Sequence, residues 1–170
     1  MMGILSSKWF LIILAIVLIA IVLIFTGKKS VRAEVSIESP REDVWNVLTD
    51  VSTIKEWNKV LIPIEGEIKT GNTIKYEFYQ EEEDSKPAVT SAKVKQFIPL
   101  ELINQTGGIP GIITFNHSYI LTQKENMTTV SIYEKYTGIM VNFWNPTPVK
   151  NAYERLLISL KERVIELRKN

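Results

Sequence analysis

Residues 35–58, VSIESPREDVWNVLTDVSTIKEWN, carry the strongest local structure signals in the chain. Apolar residues at every second position lead up to Ser39, which is typical of a half-buried strand. Ser39 then predicts a helix N-cap, Pro40 suits the first helical position, and Glu42 completes a capping box with Ser39. The stretch therefore predicts a strand that passes directly into a short helix.

A second short helix is predicted to reach Trp57, and either Asp50 or Ser52 can cap it. Trp45 lies on the apolar face of the first helix, so we expect it to pack the helix against the rest of the fold. Trp57 stands at the end of the second helix, where it fits either packing or the rim of a cavity. The apolar face of the first helix comprises Val44, Trp45, Leu48 and Val51.

The chain before these helices divides into a strand, a linker and an apolar run. The strand is predicted from Val31, and residues Thr26–Ser30 before it are predicted to form a five-residue linker. The run Trp9–Phe25 is apolar throughout, and at about 1.5 Å per residue it spans about 25 Å, near the lower limit for crossing a bilayer. We therefore expect an N-terminal transmembrane anchor and linker over residues 1–30 and one further domain over residues 31–170.

A cleaved signal peptide is the alternative to an anchor, because Val31-Arg32-Ala33 loosely resembles a cleavage site. The apolar run is longer than the core of a usual signal peptide. Lys28 and Lys29 also stand where cleavage would occur. Both features favour an uncleaved, single-pass anchor, with the membrane as a partner of Trp9–Phe25.

The charges that flank the apolar run bear on the side of the membrane. Lys28, Lys29 and Arg32 outweigh Lys8 and the amino terminus by about one charge, so the positive-inside rule favours a cytoplasmic body. A lumenal body would instead suit the three Asn-x-Ser/Thr sequons. These sequons are at Asn104, Asn116 and Asn126.

The overall charge argues against one class of partner. The chain has a formal net charge of +1, and residues 1–30 contribute three lysines and no acid. The remaining residues are close to neutral, whereas a nucleic-acid-binding protein usually needs a broad basic face. We therefore predict no nucleic-acid partner, and the sequence leaves the oligomeric state open.

Residues 60–138 predict about six antiparallel strands separated by turns. The acidic run Glu81–Asp84 reads as part of a solvated hairpin loop, and Glu125-Asn126 reads as the turn between the last two strands. One face of the first strand of that pair carries Phe115, His117, Tyr119 and Leu121, and one face of the second carries Val130, Ile132, Glu134 and Tyr136.

The chain finishes with one long predicted helix whose start is marked by Pro146 and Pro148. A sheet with one buried face needs a cover, and this is the long helix available after the strands. Its apolar stripe comprises Tyr153, Leu156, Leu157, Leu160, Val164 and Leu167.

This order of elements, together with the opening stretch and the later segments VKQFIPLELI, FNHSYILT and EKYTGIMVNFW, resembles the START-like (SRPBCC) ligand-binding superfamily. Within it, the chain is similar to the bacterial polyketide cyclase/dehydrase-type proteins over about residues 31–168. The resemblance implies an α+β helix-grip fold, in which a curved seven-stranded antiparallel sheet wraps around the C-terminal helix and encloses a cavity, and two short helices follow strand 1. It also implies binding of lipids or other hydrophobic small molecules, with enzymatic activity in only some members.

Several chemistries are excluded by residue counts and motifs. The chain has one histidine and no cysteine, so the common zinc ligand sets cannot be assembled. The run GGIPG at 107–111 lacks the spacing of a Walker or Rossmann loop. We therefore predict no metal and no cofactor.

His117 and Glu134 are the residues best placed for chemistry, because each lies on the more apolar face of its strand and the two strands are predicted neighbours. An ionisable group that points into an apolar cavity must be paired or shifted in pKa, and such pairs sometimes act as general acid and base. The alternatives are that the pair orients a ligand, or that it has a structural or surface role.

The predicted inward aromatic residues fit either ordinary core packing or the wall of a ligand cavity. Phe143 and Trp144, which precede the long helix, could gate the mouth of such a cavity. With residues 139–141 they could equally form an apolar loop that touches the bilayer. The inward set comprises Tyr76, Phe78, Phe115, Tyr119 and Tyr136.

Three functions follow from this sequence. The first is a membrane-anchored binding domain for a hydrophobic small molecule or lipid, whose contacts would be the inward aromatic set with His117, Glu134, Phe143 and Trp144. The second is a cyclase- or dehydrase-like enzyme that uses His117 and Glu134. The third is a non-catalytic interaction module whose interior is filled by side chains.

Overall fold

A computed structural model of the chain describes residues 8–81 and 86–169. Helix α1 is followed by strand β1, the short helices α2 and α3, strands β2 to β7, a one-turn 3₁₀ helix and the long helix α4. The helices are α1 (Lys8–Thr26), α2 (Arg41–Thr49), α3 (Ile54–Trp57), the 3₁₀ turn (Ile139–Asn142) and α4 (Thr147–Leu167). The strands are β1 (Lys28–Ile37), β2 (Leu61–Glu65), β3 (Thr73–Phe78), β4 (Ala88–Ile98), β5 (Leu102–Ile109), β6 (Ile113–Lys124) and β7 (Met127–Thr137).

The strands form one curled antiparallel sheet in the order β1-β7-β6-β5-β4-β3-β2. Each strand pairs with its sequence neighbour, except that β1 pairs with β7 and so closes the first element onto the last strand. The seven-stranded antiparallel sheet, the long C-terminal helix and the two short helices after β1 confirm the predicted helix-grip fold. Residues 82–85 of the predicted acidic loop lie outside the described residues.

Helix α4 covers the buried face of the sheet. The predicted apolar stripe is buried along most of its length, and its side chains join those of β1, β6 and β7 in one hydrophobic core. Leu167, the last stripe residue, is 48% exposed because it lies beyond the edge of this core. Trp45 of α2 is buried with its ring centroid 5.3 Å from that of Phe97, which confirms its packing role. Trp57 is also buried in this core.

Helix α2 begins one residue later than the capping box predicted. Pro40 has an extended backbone, with φ −55° and ψ 149°, and is the N-cap residue of a helix that starts at Arg41. The capping box is therefore wrong: the Ser39 hydroxyl instead donates to Asp43 Oδ2 at 3.1 Å. Val51 lies past the end of α2 and is 38% exposed, so it does not share the buried face.

The turn between α2 and α3 is organised by Asp50. Its Oδ1 accepts from the Ser52 amide at 3.0 Å, and its Oδ2 accepts from the Thr53 hydroxyl at 2.9 Å. These hydrogen bonds, that of the Ser52 hydroxyl first, lower the pKa of Asp50. The N-cap position of α3 is Thr53, so neither of the two predicted caps, Asp50 and Ser52, occupies it.

The linker predicted over Thr26–Ser30 is wrong, because α1 and β1 are separated by Gly27 alone. Lys28, Lys29 and Ser30 already pair with β7. Gly27 is packed closely: a Cβ there would lie 1.9 Å from the Gly138 carbonyl oxygen, so any larger residue would force the backbones apart. The end of α1 is therefore connected tightly to the rest of the fold.

Helix α1 is long and apolar enough to span a membrane, and its window of highest hydropathy has no buried residue. Length and composition are the basis of this finding, and signal sequences share both. The structure describes α1 from Lys8 onward.

The strand registers place several chain segments at one end of the sheet. Lys28 pairs with Thr137, which also pairs with Thr114 at the start of β6. Ile109 at the end of β5 faces Ile113, and Phe78 at the end of β3 faces Ala88 at the start of β4. We call this end of the sheet the anchor end, because α1 joins the fold there.

Candidate functional site

A cavity of about 260 Å³ lies between the sheet and α4. Its walls are mostly aromatic and aliphatic side chains of β3, β6, β7, α4 and the segment before α4, including Phe78, Phe115, Tyr136, Trp144 and Val149. Tyr136 and Trp144 meet edge to face with ring centroids 4.6 Å apart.

The exposed lining residues of the cavity are at its anchor end. Ala88 is exposed, and Gln80, Thr90, Ile113 and Trp144 are partly exposed. The mouth of the cavity therefore lies at the anchor end of the sheet.

The lining at the other end of the cavity is buried and polar. His117 is four residues along β6 from Ile113, a distance of about 13 Å at 3.3 Å per residue. The buried lining residues that carry polar groups are Tyr76, Gln105, His117, Glu134, Tyr136 and Tyr153.

Glu134 is the centre of this polar end. One of its carboxylate oxygens, Oε2, accepts hydrogen bonds from the hydroxyls of Tyr136 and Tyr153. Burial, followed by the charge of Glu134, raises the pKa of both tyrosines, so both stay protonated and act as donors. The two hydroxyls hold the carboxylate at a fixed position, and Glu134 is 3% exposed.

His117 faces the other carboxylate oxygen across the β6–β7 pair. The two residues are opposite each other in the register, and His117 Nδ1 lies 3.7 Å from Glu134 Oε1. The imidazole ring also meets the rings of Tyr119 and Tyr153 edge to face, at centroid distances of 4.7 Å and 5.2 Å. These contacts fix the ring plane and turn Nδ1 toward the carboxylate.

The second ring nitrogen of His117, Nε2, is buried and has no hydrogen-bond partner in residues 8–81 and 86–169. Because Nδ1 faces a carboxylate, the neutral ring carries its proton on Nδ1 and leaves Nε2 as an acceptor. A buried polar atom without a partner costs about 1–3 kcal/mol. Nε2 is therefore a buried nitrogen of a cavity-lining residue that no described group of the chain satisfies.

A second polar pair joins β3 and β5 across the intervening strand β4. Gln105 Nε2 donates to the Tyr76 hydroxyl at 2.8 Å, and both side chains are buried. Burial raises the pKa of Tyr76 to about 12, so its hydroxyl is neutral at physiological pH. The hydroxyl of Tyr76 keeps its own proton for donation.

Most of the predicted site residues lie on the cavity. Tyr119 does not line it, because it packs edge-on against the His117 ring. Phe143 does not line it either: it caps the 3₁₀ turn and is 73% exposed, whereas Trp144 faces inward. The predicted residues that line the cavity are Tyr76, Phe78, Phe115, His117, Glu134, Tyr136 and Trp144.

Two polar contributors were not predicted as site residues. Gln105 lies in the inward row of β5, where a polar side chain between apolar neighbours was the available signal. Tyr153 was assigned to the apolar stripe of the long helix, and its hydroxyl is the polar group in that stripe. Burial of the stripe was predictable, whereas the hydrogen bond from Tyr153 to Glu134 depends on how α4 lies on the sheet.

The buried tyrosines predict a loss of stability in alkali. Unfolded tyrosines ionise near pH 10, while Tyr76 ionises at about pH 12 in the folded chain, so the unfolded state loses its proton first. Its contribution to stability is complete below about pH 10 and is lost as pH rises through 12, at about 1.4 kcal/mol per pH unit. Urea unfolding of residues 27–170 at several alkaline pH values measures the slope, and Tyr76→Phe is expected to make it shallower. An unchanged slope in Tyr76→Phe would contradict the burial of this hydroxyl.

Comparison with known proteins finds similar folds among solved structures. No protein-family description matches the sequence, and no curated protein matches it. Among solved structures, a Staphylococcus aureus protein of unknown function is 14% identical with a TM-score of 0.62, covering 84% of this chain and 98% of its own. A Chromobacterium violaceum protein is 17% identical with a TM-score of 0.63, covering 79% and 96%.

A third similar structure has a named activity and bound molecules. Norcoclaurine synthase from Thalictrum flavum, solved in complex with dopamine and hydroxybenzaldehyde, is 11% identical with a TM-score of 0.61, covering 82% of this chain and 87% of its own. At these identities the similarity concerns the fold. The chain has the helix-grip fold of the START-like (SRPBCC) proteins.

Proposed function

We propose that the domain binds a hydrophobic small molecule that carries a polar group, and that α1 holds it at a membrane. The observation that carries this proposal is the apolar cavity with a buried, hydrogen-bond-seeking nitrogen at its closed end. Norcoclaurine synthase, which shares the fold, was solved with small aromatic molecules. The open interior also favours ligand binding over an interaction module with a filled core.

The size of the cavity narrows the class of ligand. Ligand pockets usually measure about 300–1,000 Å³, and this cavity, at about 260 Å³, is just below that range. A two-chain phospholipid would not fit inside it. A single-chain, isoprenoid or aromatic molecule is the better match.

The polar end of the cavity predicts the chemistry of the ligand's polar group. A ligand hydroxyl can donate to His117 Nε2 and recover the cost of leaving that nitrogen unpaired. The walls between His117 and the mouth offer aromatic surface, with Phe115, Tyr136 and Trp144 along the path. A molecule with a hydroxyl at one end and an apolar body fits both features.

Attachment to a membrane would supply such a molecule. Because Gly27 alone joins α1 to β1, the cavity cannot move far from a bilayer that α1 spans. Apolar molecules dissolve preferentially in the bilayer, so the local ligand concentration at the cavity would be high.

Binding of an apolar fluorophore tests this function. Residues 27–170 retain all of β1, whereas removal of residues 1–30 would delete three paired residues of the strand. We expect this fragment to bind 1-anilinonaphthalene-8-sulfonate saturably with one dye per chain, and a long-chain alcohol to displace it. Circular dichroism first establishes that the fragment is folded. A folded fragment that does not bind the dye would contradict the proposal.

A second candidate function is acid–base catalysis in the same cavity. The observation that favours it is a histidine on the cavity wall whose Nδ1 lies 3.7 Å from a buried carboxylate oxygen of Glu134, since a carboxylate at this position can orient a general base. A compound recovered from the purified chain would be incubated with fresh chain and with His117→Gln. Conversion by the unmodified chain alone would support catalysis, and recovery of unchanged compound from both would restrict the site to binding.

A further inference from the structure

The anchor end carries a cluster of exposed apolar side chains. Ile109 is 59% exposed, Ile112 46%, Met140 51% and Phe143 73%. Ile109 ends β5 and Ile112 lies in the turn that follows it, while Met140 and Phe143 belong to the 3₁₀ turn and its cap. We call these four residues the apolar collar.

The two halves of the collar are joined by backbone hydrogen bonds. The Met140 amide donates to the Ile112 carbonyl at 3.0 Å, and the Ile139 amide donates to the Gly111 carbonyl at 3.0 Å. The four side chains therefore belong to one surface of the molecule.

The collar adjoins the last turns of α1. Asn142 Nδ2 donates to the Leu23 carbonyl at 2.8 Å, which ties the 3₁₀ turn to the helix. On the other side, the Ile24 side chain lies 3.8 Å from the position of a Cβ on Gly111, in the β5–β6 turn. The collar thus lies beside the point at which α1 leaves the domain.

The direction of α1 relative to the collar is fixed. The Gly138 amide donates to the Gly27 carbonyl at 3.0 Å, and the Thr26 hydroxyl lies 3.3 Å from Asn142 Oδ1. With Gly27 closely packed against Gly138, a swivel between helix and domain would break these contacts. A membrane spanned by α1 must therefore meet the domain at the collar.

We infer that the anchor end is seated in the bilayer surface, with the apolar collar inserted among the lipids and the cavity mouth open to them. This inference rests on the proposed function for the membrane role of α1. Trp144, which lines the mouth, directly follows the collar residue Phe143, and the Lys29 ammonium donates to the Trp144 carbonyl. A molecule dissolved in the bilayer then passes from lipid into the cavity without crossing water.

We assign a lipid surface as the partner of the collar because the collar is continuous with α1. The collar lies beside α1 and extends its apolar surface, and no described part of the chain buries that helix. Such a patch next to a membrane span is typical of interfacial insertion, in which apolar side chains enter the boundary between headgroups and acyl chains.

Site-specific labelling of the full chain tests the seating. The chain has no cysteine, so Phe143→Cys provides one attachment site for an environment-sensitive nitrobenzoxadiazole dye after reconstitution into phosphatidylcholine vesicles. Lys124→Cys is the matched control, because Lys124 is exposed and lies at the opposite end of β6, about 36 Å from Ile113. Met140→Cys carries the test if Phe143→Cys does not fold.

The expected result is a blue-shifted emission at position 143, strong quenching by nitroxide-labelled lipid and weak quenching by iodide. The dye at position 124 is expected to show the opposite pattern. Iodide quenching at position 143 equal to that at position 124 would overturn the seating. Ligand binding is measured separately. If the collar inserts into the bilayer but the chain binds no ligand, the inferred membrane contact is supported and the proposed function is rejected.

Discussion

Replacing Glu134 with alanine is expected to lower the free energy of unfolding by about 3–5 kcal/mol, because several buried polar groups lose their partner at about 1–3 kcal/mol each. The change deletes the acceptor of two buried tyrosine hydroxyls and the carboxylate opposite His117. Each of these groups is then buried without a hydrogen-bond partner, which lowers the stability of the folded chain. Urea unfolding of residues 27–170, followed by circular dichroism, measures the loss.

Two further variants separate this effect from a general sensitivity to substitution. Glu134→Gln keeps a side-chain carbonyl oxygen at the same position, so a smaller loss is expected. Glu101→Ala changes an exposed glutamate in the β4–β5 turn, where a change within about 0.5 kcal/mol is expected. A loss below about 1 kcal/mol in Glu134→Ala would contradict the hydrogen-bonded polar end of the cavity.

Replacing Thr90 with tryptophan is expected to abolish ligand binding while leaving the chain folded. Thr90 lies on β4 at the mouth of the cavity and is partly exposed, so a large ring can enter the cavity without displacing the core. The ring would occupy part of a space of only about 260 Å³. Fluorophore titration measures the loss of binding, and circular dichroism establishes the retained fold.

The neighbouring residue provides the matched control. Val89 is adjacent on the same strand, points to the opposite face of the sheet and is 58% exposed. Val89→Trp adds the same ring to the same strand outside the cavity, so binding is expected to match that of the unmodified domain. Equal binding by Thr90→Trp and Val89→Trp would show that the ligand site is elsewhere.

The fold was predictable from the sequence because its signals are local and periodic. Alternation in β6 and β7 placed His117 and Glu134 on the same face, and the observed register puts them opposite each other. The apolar stripe of α4 predicted that this helix covers the buried face of the sheet. By contrast, Lys28–Ser30 has no apolar alternation, and it forms a strand because β7 offers its backbone as a partner.

A cavity was expected from the resemblance to helix-grip proteins, and hydrophobic periodicity alone did not predict it. Periodicity identifies which side chains face inward, and it does not tell whether they meet or leave a gap between the sheet and α4. Phe143 and Trp144 illustrate the same limit, since a 3₁₀ turn sets which of two adjacent aromatic residues faces the cavity. Tyr153 was read as a core residue because its partner, Glu134, is 19 residues away in sequence.

Native mass spectrometry of residues 27–170, purified without detergent from cells, tests the central claim most directly. We expect a population with a mass above that of the chain, which organic extraction reduces to the mass of the chain alone. The extra mass is expected to be absent from Thr90→Trp and present in Val89→Trp. A folded, unmodified domain whose mass equals that of its polypeptide, and which binds neither an apolar fluorophore nor a long-chain alcohol, would contradict a ligand-binding function.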